Sequence, residues 1–341
     1  MKAAILEILN KPLKIADIEL TELKVGQVLV RNIVSGLCGA QLHEINGNKG
    51  NEKFLPHLMG HEGCGIVEAI GSGVATVKKG DKVVMHWRVG SGIESEFPKY
   101  NYDGKQISSG KVTTLSEYSI VSENRLTSVP KETPPELCAV LGCSLTTAMG
   151  IIDNEADIKF GESVLVLGCG GVGLNLIQAA SLKTAYPIIA IDNNSNKEQL
   201  CYKCGANLFY EDVNSICDRN VDVIIDTTGI PDVISKAINK LSGTGRLILV
   251  GQPKPTQSIE ILNAINMFNG IGKKIFATQG GQTKPELDIP RYVRLYASGL
   301  LKIDNLITNY FSLDEVNKGF DLLRSGKAGR IMIKMSDDIV N

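Results

Sequence analysis

The sequence predicts an α/β protein, with a compact β-rich unit in its first 150 residues and a doubly wound parallel sheet in its second half. Three observations carry this. An apolar run, Val164-Leu165-Val166-Leu167, leads into Gly168-Cys169-Gly170-Gly171-Val172-Gly173 and then an apolar helix-like segment at 174–182; four such residues in a row suit a fully buried parallel strand. A second buried run, 187–191, ends on Asp192, nineteen residues after Gly173. Upstream, short apolar runs are separated by Gly and Asp turns, as at Gly71-Ser72-Gly73 and Gly80-Asp81.

Each part of the 168–192 stretch has a physical reason. Gly168 permits a tight turn, Gly170 lets the backbone approach a pyrophosphate, and Gly173 lets the helix pack close to the strand. The helix N-terminus, reached through Gly171 and Val172, offers unpaired N–H groups and a positive dipole end to phosphates. Asp192 can accept hydrogen bonds from an adenosine ribose diol, and its charge repels a 2′-phosphate. Glycine-rich turns are common, but here strand, turn, helix, strand and acid follow in register, which is the context the motif requires. A dinucleotide is the expected cofactor, NAD in preference to NADP.

The alternation continues to the end of this half. Residues 197–204 read as a helix, 207–210 and 221–226 as strands, 231–241 as a helix, 246–250 as a strand, 259–268 as a helix and 274–277 as a last strand. Cys201-Tyr202-Lys203-Cys204 is a CxxC, but it lies in a helical segment without a second CxxC, so two helical cysteines explain it better than a metal or redox site. Cys169, inside the glycine loop near the phosphates, is a candidate for oxidation, although nothing in the sequence shows a lowered pKa. Past residue 276 come amphipathic helices near 290–298 and 313–325 and a strand at 330–335.

At 341 residues the chain is long enough for two domains. Thirty-six basic against thirty-seven acidic side chains leave no field for nucleic acid or an anionic membrane. No apolar run approaches the length needed to span a bilayer. The N-terminal stretch is interrupted by Glu7, Lys11 and Lys14, so it reads as a first strand and not a signal peptide. Eight scattered cysteines suit reduced thiols in a cytoplasmic protein.

In the first half, residues 28–34 alternate as a strand and run into Ser35-Gly36-Leu37-Cys38-Gly39, with Gly60-His61-Glu62-Gly63 and Leu141-Gly142-Cys143 further on. Two sulfurs and an imidazole with an open fourth position form a known type of catalytic zinc site. Spacing alone does not select Cys38, His61 and Cys143 from eight cysteines and four histidines. A buried cysteine is often just a small hydrophobe.

Taken together, Gly36-Leu37-Cys38-Gly39, Gly60-His61-Glu62-Gly63, Gly80-Asp81-Lys82-Val83, Leu141-Gly142-Cys143 with Thr147, the glycine loop, and Leu322-Leu323-Arg324-Ser325-Gly326 with Arg330 resemble the zinc-dependent alcohol dehydrogenases of the medium-chain dehydrogenase/reductase family. The resemblance covers essentially the whole chain. It implies a GroES-like catalytic domain at 1–144 and 277–341 and a Rossmann NAD-binding domain at 145–276. It implies one catalytic zinc on Cys38, His61 and Cys143, with Glu62 beneath it and His43 as the proton-relay histidine. Thr147, Lys197 and Arg330 would join the glycine loop and Asp192 at the cofactor, with Lys197 on the adenosine ribose and Arg330 on the pyrophosphate. An exposed first-turn lysine is the plain alternative for Lys197. The implied substrate is a small-molecule alcohol or carbonyl, and the implied assembly a homodimer or homotetramer.

Three departures stand out. Ala40 occupies the position of the usual relay Ser or Thr, so that hydroxyl is missing. Gln41 replaces the usual Asp that buttresses the ligand histidine; its amide can still accept the imidazole N–H, but without charge. Residues 85–137 contain no cysteine, so the four-cysteine structural zinc of many relatives is not expected. His86 and Trp87 fall where relatives place substrate-pocket residues, with core packing as the alternative for Trp87. Polar His86 and Arg88 lean toward a polar or sugar-like substrate, and a polyol, sugar or aminocyclitol dehydrogenase, which shares the same scaffold, is the runner-up. A zinc-free quinone or enone reductase lacks these ligands, and a catalytically silent dinucleotide-binding protein is the competitor from another class.

Overall fold

A computed structural model describes residues 1–50, 52–216 and 220–335. It divides into two compact units. One comprises Met1–Thr146, Lys284–Ile303 and Ile307–Asn341, and the other Thr147–Thr283 with Asp304–Leu306.

In the first unit the strand Gln27–Leu37 is the spine of a mainly antiparallel sheet. In sheet order the strands run Leu126–Val129, Lys82–His86, Glu62–Ile70, Gln27–Leu37, Arg330–Lys334 and Ile307–Ser312, and Tyr118–Ser122 also pairs with the spine. The strand Arg330–Lys334 lies antiparallel to the spine with Met332 opposite Gly36, which carries the C-terminal part of the chain onto the middle of this sheet. Val28, Val30, Val67, Val83, Met85 and Val121 fill one core of the unit. Alternation along each strand selects which side chains enter it.

The second unit holds a parallel sheet whose strands, among the described residues, run Leu208–Tyr210, Ile188–Ile191, Val164–Leu167, Val221–Asp226, Leu241–Leu249 and Lys274–Ala277. Numbered along the unit this order is 3-2-1-4-5-6, the doubly wound arrangement whose strand order reverses beside the first strand. Val164–Leu167 and Ile188–Ile191 are buried throughout, as uninterrupted apolar runs require.

Three segments differ from the sequence reading. The helix read at 231–241 ends at Ile238, and the strand read at 246–250 already begins at Leu241. Residues 259–268 form no α-helix: a short 3₁₀ turn, Ala264–Met267, is all that is regular, and Ile265 and Phe268 are exposed. The helix expected from Pro290 begins earlier, at Pro285, and takes Pro290 into its interior. Glu286 and Asp288 in its first turn, with Pro285 at the first helical position, supply the start signal. No single helix among the described residues is long and apolar enough to cross a membrane.

Candidate metal centre and nucleotide loop

Cys38 directly follows the spine strand and is the N-cap of the helix Gly39–Ile45. His61 sits between the short strand His57–Leu58 and the strand Glu62–Ile70. Cys143 follows the helix Pro135–Leu141. These three segments bring the two sulfurs and an imidazole nitrogen within 4.8 Å of one another, and this is the cluster that could hold a metal among the described residues. Tetrahedral zinc spaces such donors about 3.5–3.8 Å apart, so the set fits with small adjustments. Cys38 and Cys143 are buried and His61 half-buried.

The two thiols face each other. Hydrogen bonding from Cys143 holds the Cys38 thiol well below its ordinary value, helped by His61 and Arg330, while Cys143 is pushed up by the same pairing and by burial. Burial drives His61 down, but Cys38 and Glu62 outweigh it and hold it up.

Beneath the centre Glu62 is completely buried and forms an ion pair with the buried Arg330 guanidinium. Gly36 makes room for this pair: a Cβ there would lie 2.6 Å from Glu62 Oε1 and 3.0 Å from Arg330 Nη2. Burial raises Glu62 and Arg330 opposes that rise. Glu62 Oε2 and Arg330 Nε are buried with no hydrogen-bond partner. Orphaned polar atoms are costly in a finished core and acceptable at a centre that brings its own charge.

Gln41 differs from expectation. Its Oε1 accepts the Cys38 backbone N–H at 2.7 Å, closing a capping box in which the Cys38 side chain receives the Gln41 backbone N–H. The amide thus serves the sulfur ligand's backbone and not the imidazole. His43 lies on the same helix, half-buried, with Asn48 Nδ2 3.5 Å from its Nδ1.

The pocket expectation for His86 is corrected. The ring is 1% exposed, its Nδ1 meets the Arg88 carbonyl at 2.7 Å, and its Nε2 meets Thr127 Oγ1 at 3.0 Å. Burial pushes it down to about 4. Both nitrogens serve the fold, leaving none for a substrate. Trp87 packs its half-buried ring against the valine-rich core, with the Arg88 guanidinium 5.9 Å from the ring centre.

In the 85–137 segment one buried carboxylate gathers neighbouring backbone. Glu123, 1% exposed, accepts the Ala75 and Thr76 backbone N–H groups at 2.7 Å, Thr76 Oγ1 at 2.9 Å and the Ile93 N–H at 2.7 Å. A lone acid between Ser122 and Asn124 gave no sequence signal of this role.

In the second unit, Gly168–Gly173 joins Val164–Leu167 to the helix Gly171–Leu182. A Cβ on Gly173 would fall 1.9 Å from the Gly168 carbonyl oxygen, so only glycine allows the helix so close to the strand end. The N-cap is Gly170, no side chain caps it, and a Cβ there would meet nothing within 4 Å. That open, uncapped N-terminus, with Gly171 and Val172 in its first turn, fits a pyrophosphate. Asp192 Oδ2 accepts the Cys169 N–H at 2.8 Å and Oδ1 the Asn194 N–H at 3.0 Å, so one carboxylate ties the glycine loop to the end of the second strand. Lys197 is not an exposed lysine: at 7% exposure it donates to the Cys169 carbonyl at 3.1 Å and lies 3.8 Å from Asp192. Thr147 is buried in the helix Ser144–Gly150.

Cys169 is completely buried, and its pairing with Cys201, then burial, push its thiol far up. The thiolate is the reactive form, so the expectation of an oxidation-sensitive Cys169 is overturned. Cys201 and Cys204 are buried on the helix Glu198–Cys204.

A doubly wound sheet with an uncapped glycine turn and a terminal acid, in a chain that also assembles a two-sulfur, one-imidazole cluster, defines a dinucleotide-linked metal oxidoreductase. Residues 24–131 match the family described as alcohol dehydrogenase GroES-like domain, and residues 171–295 match zinc-binding dehydrogenase. The chain is 28% identical to the probable S-(hydroxymethyl)glutathione dehydrogenase 1 of Schizosaccharomyces pombe, over 98% of this chain and 97% of that protein. Among solved structures it is similar to an alcohol dehydrogenase zinc-binding domain protein from Burkholderia ambifaria (TM-score 0.89, 26% identity, 98% of each chain). It is also similar to benzyl alcohol dehydrogenase from Acinetobacter calcoaceticus (TM-score 0.86, 25% identity, 98% of this chain and 99% of that one). The chain belongs to the zinc-dependent alcohol dehydrogenases of the medium-chain dehydrogenase/reductase family.

Proposed function

We propose that this enzyme oxidises a primary alcohol to its aldehyde with NAD as hydride acceptor, and reduces the carbonyl in reverse. The observation that carries the reading is the meeting of the Cys38, His61 and Cys143 donor atoms. When bound, one zinc supplies Lewis acidity to the alcohol oxygen and NAD accepts the hydride. The names of two similar proteins, S-(hydroxymethyl)glutathione dehydrogenase and benzyl alcohol dehydrogenase, both denote substrates with a CH₂OH group, which supports the primary-alcohol class here.

The chain's own residues do the rest. Two cysteine thiolates balance the charge of a divalent cation, and His61 adds a neutral donor. Glu62 and Arg330 place a compensated charge pair beneath, so the ligands stay fixed without excess local charge. His43 takes up the alcohol proton; Ala40 offers no hydroxyl, so the proton reaches His43 through other hydroxyl groups or water. Gly168, Gly170, Gly171, Val172 and Gly173 present backbone to the pyrophosphate, and Asp192 with Lys197 takes the adenosine ribose. Thr147 and Arg330 complete the cofactor contacts by family resemblance.

A polyol, sugar or aminocyclitol dehydrogenase shares the same scaffold; of the two polar residues that favour such a substrate, His86 is turned inward and Arg88 is the one left to support it. Metal thiolates and buried free thiols suit a reducing, cytoplasmic setting, and a homodimer or homotetramer is the assembly the family implies. The test is metal content per chain in protein never exposed to chelator, then NADH formation across primary alcohols and polyols. One zinc per chain and NADH from a primary alcohol are expected. Metal-free protein, or no NADH with any alcohol, overturns the reading.

A further inference from the structure

Four successive carbonyls of the glycine loop are engaged within the second unit. The Leu167 oxygen accepts the Thr227 backbone N–H at 2.8 Å, the Cys169 oxygen accepts from Lys197 Nζ at 3.1 Å, and the Gly170 oxygen accepts the Leu174 N–H at 2.9 Å. The Gly168 oxygen is taken by the Thr227 side chain. Thr227 Oγ1 lies 2.9 Å from both the Leu167 and the Gly168 oxygens, so its single proton is shared between them. The other end of the Gly168–Cys169 peptide, the Cys169 N–H, is held by Asp192 Oδ2 at 2.8 Å. These two pins stand on opposite sides of the strand Val164–Leu167. Asp192 follows Ile188–Ile191, and Thr227 follows Val221–Asp226, across the point where the strand order reverses. A Cβ on Gly168 would lie 2.7 Å from Thr227 Oγ1, so glycine is what admits the hydroxyl. Thr227 is itself set by the completely buried Asp226, whose carboxylate accepts the Thr228 N–H at 3.0 Å, the Thr228 hydroxyl at 2.6 Å and the Gly229 N–H at 3.0 Å.

We propose that Thr227 is a positioning residue for the dinucleotide, its hydroxyl working opposite Asp192 to fix the Gly168–Cys169 peptide and with it the shape of the pyrophosphate loop. This rests on the reading of Gly168–Gly173 as that loop. Without such a pin the loop has a choice of shapes. Gly168 sits at φ +85°, and a residue with no Cβ leaves the peptide beside it free to rotate. A carbonyl oxygen that swings toward a phosphate sets the negative end of a peptide dipole against an anion. Held by Thr227, the Leu167 and Gly168 oxygens cannot do so, and the helix N-terminus is left to meet the phosphates with N–H groups. A loop ordered in advance also loses less freedom when the ligand arrives. Thr227 thus acts through the peptide and needs no contact of its own with the cofactor.

The test is NADH binding to the full chain, read from the fluorescence of the bound nucleotide, in wild type, Thr227→Val, Thr227→Ala and Thr227→Ser. Valine keeps the shape of the side chain and loses the hydroxyl. Serine and alanine both lack the methyl and differ only in the hydroxyl, so this pair decides the matter should the valine variant fail to fold. The Kd for NADH is expected to rise about three- to tenfold in Thr227→Val and Thr227→Ala, the scale of one hydrogen bond, and to return to the wild-type value in Thr227→Ser. A role in fold stability alone lowers the thermal midpoint of the nucleotide-free protein and leaves a Kd measured well below that midpoint where it was. Wild-type Kd in both Thr227→Val and Thr227→Ala overturns the proposal, and so does a Thr227→Ser protein that binds as weakly as Thr227→Ala. Wild-type protein that binds no NADH overturns the reading of the glycine loop and the proposal with it.

Discussion

Glu62 and Arg330, 268 positions apart in sequence, meet as an ion pair with neither side chain more than 3% exposed. The pair ties the strand that begins beside the ligand His61 to the C-terminal strand Arg330–Lys334 through the gap left at Gly36. Removing one member of such a pair abandons a charge in a dry place, at a cost of about 3–5 kcal/mol. Arg330→Leu is therefore expected to lose stability on that scale, and Glu62→Leu/Arg330→Leu to lose distinctly less than the sum of the single variants. Urea unfolding of the four-member cycle checks this; additive losses would show that the two side chains are not coupled.

Glu123 sets an acid limit on the first unit. Burial pushes its carboxyl up, but the N–H groups of Ile93, Ala75 and Thr76 and the Thr76 hydroxyl outweigh that and hold it below the ordinary value. A carboxylate whose folded value is depressed contributes stability that is complete above its unfolded value, about 4.3, and is lost as pH falls through the lower folded value. Acid should thus loosen the contacts holding residues 75–76 and 93 to this strand end. In Glu123→Gln one side-chain N–H group is turned against a backbone donor, so a loss of about 1–3 kcal/mol is expected near neutrality, together with a flatter acid limb. Thermal midpoints measured from neutral to acid pH decide it. Parallel curves for the two proteins would remove Glu123 from the acid response.

Asp192 serves both the fold and the cofactor site. It accepts the Cys169 and Asn194 backbone N–H groups and faces Lys197, so its charge orders the loop on which a pyrophosphate would rest. Asp192→Ala removes that tie and the ribose acceptor together. The KM for NAD is expected to rise about tenfold or more, roughly 1.4 kcal/mol or above, with little change in kcat, since the interaction is present before and during hydride transfer. A fall in kcat at unchanged KM would move Asp192 from binding to chemistry.

The legible parts of the sequence were those where one local rule had no rival. Val164–Leu167 is apolar on both faces and stops at glycine, and only a central parallel strand accommodates both facts. Cys38, His61 and Cys143 were selected by resemblance, because three ligands carried on three separate segments leave no periodic trace. Residues 259–268 misled because a helical spacing of apolar residues is only a tendency until a surface buries them, and Ile261, Ile265 and Phe268 have found none. Pro290 misled because a proline also suits a helix start, and the stronger start at Pro285 lay five residues earlier. His86 and Gln41 show the remaining limit. A strand's alternation gives the face a side chain takes but not which hydroxyl or carbonyl waits there, and Gln41 was assigned to the wrong ligand for the same reason.

The proton path offers the closing prediction. Ala40 and His43 share the helix Gly39–Ile45, and Ala40 has no hydroxyl to pass a proton along. Positioned acid–base groups commonly contribute about 10²–10⁴ in rate, so a path that lacks one hydroxyl yet still ends at His43 should leave turnover sensitive to that imidazole. His43→Gln is expected to slow alcohol oxidation most at low pH, where solvent supplies the fewest alternative bases, and least at high pH. An unchanged pH profile takes His43 out of the path. Ala40→Ser should raise the oxidation rate of a simple primary alcohol with metal content unchanged, because it restores a hydroxyl on the same helix. No gain would mean that the proton already leaves by an adequate route.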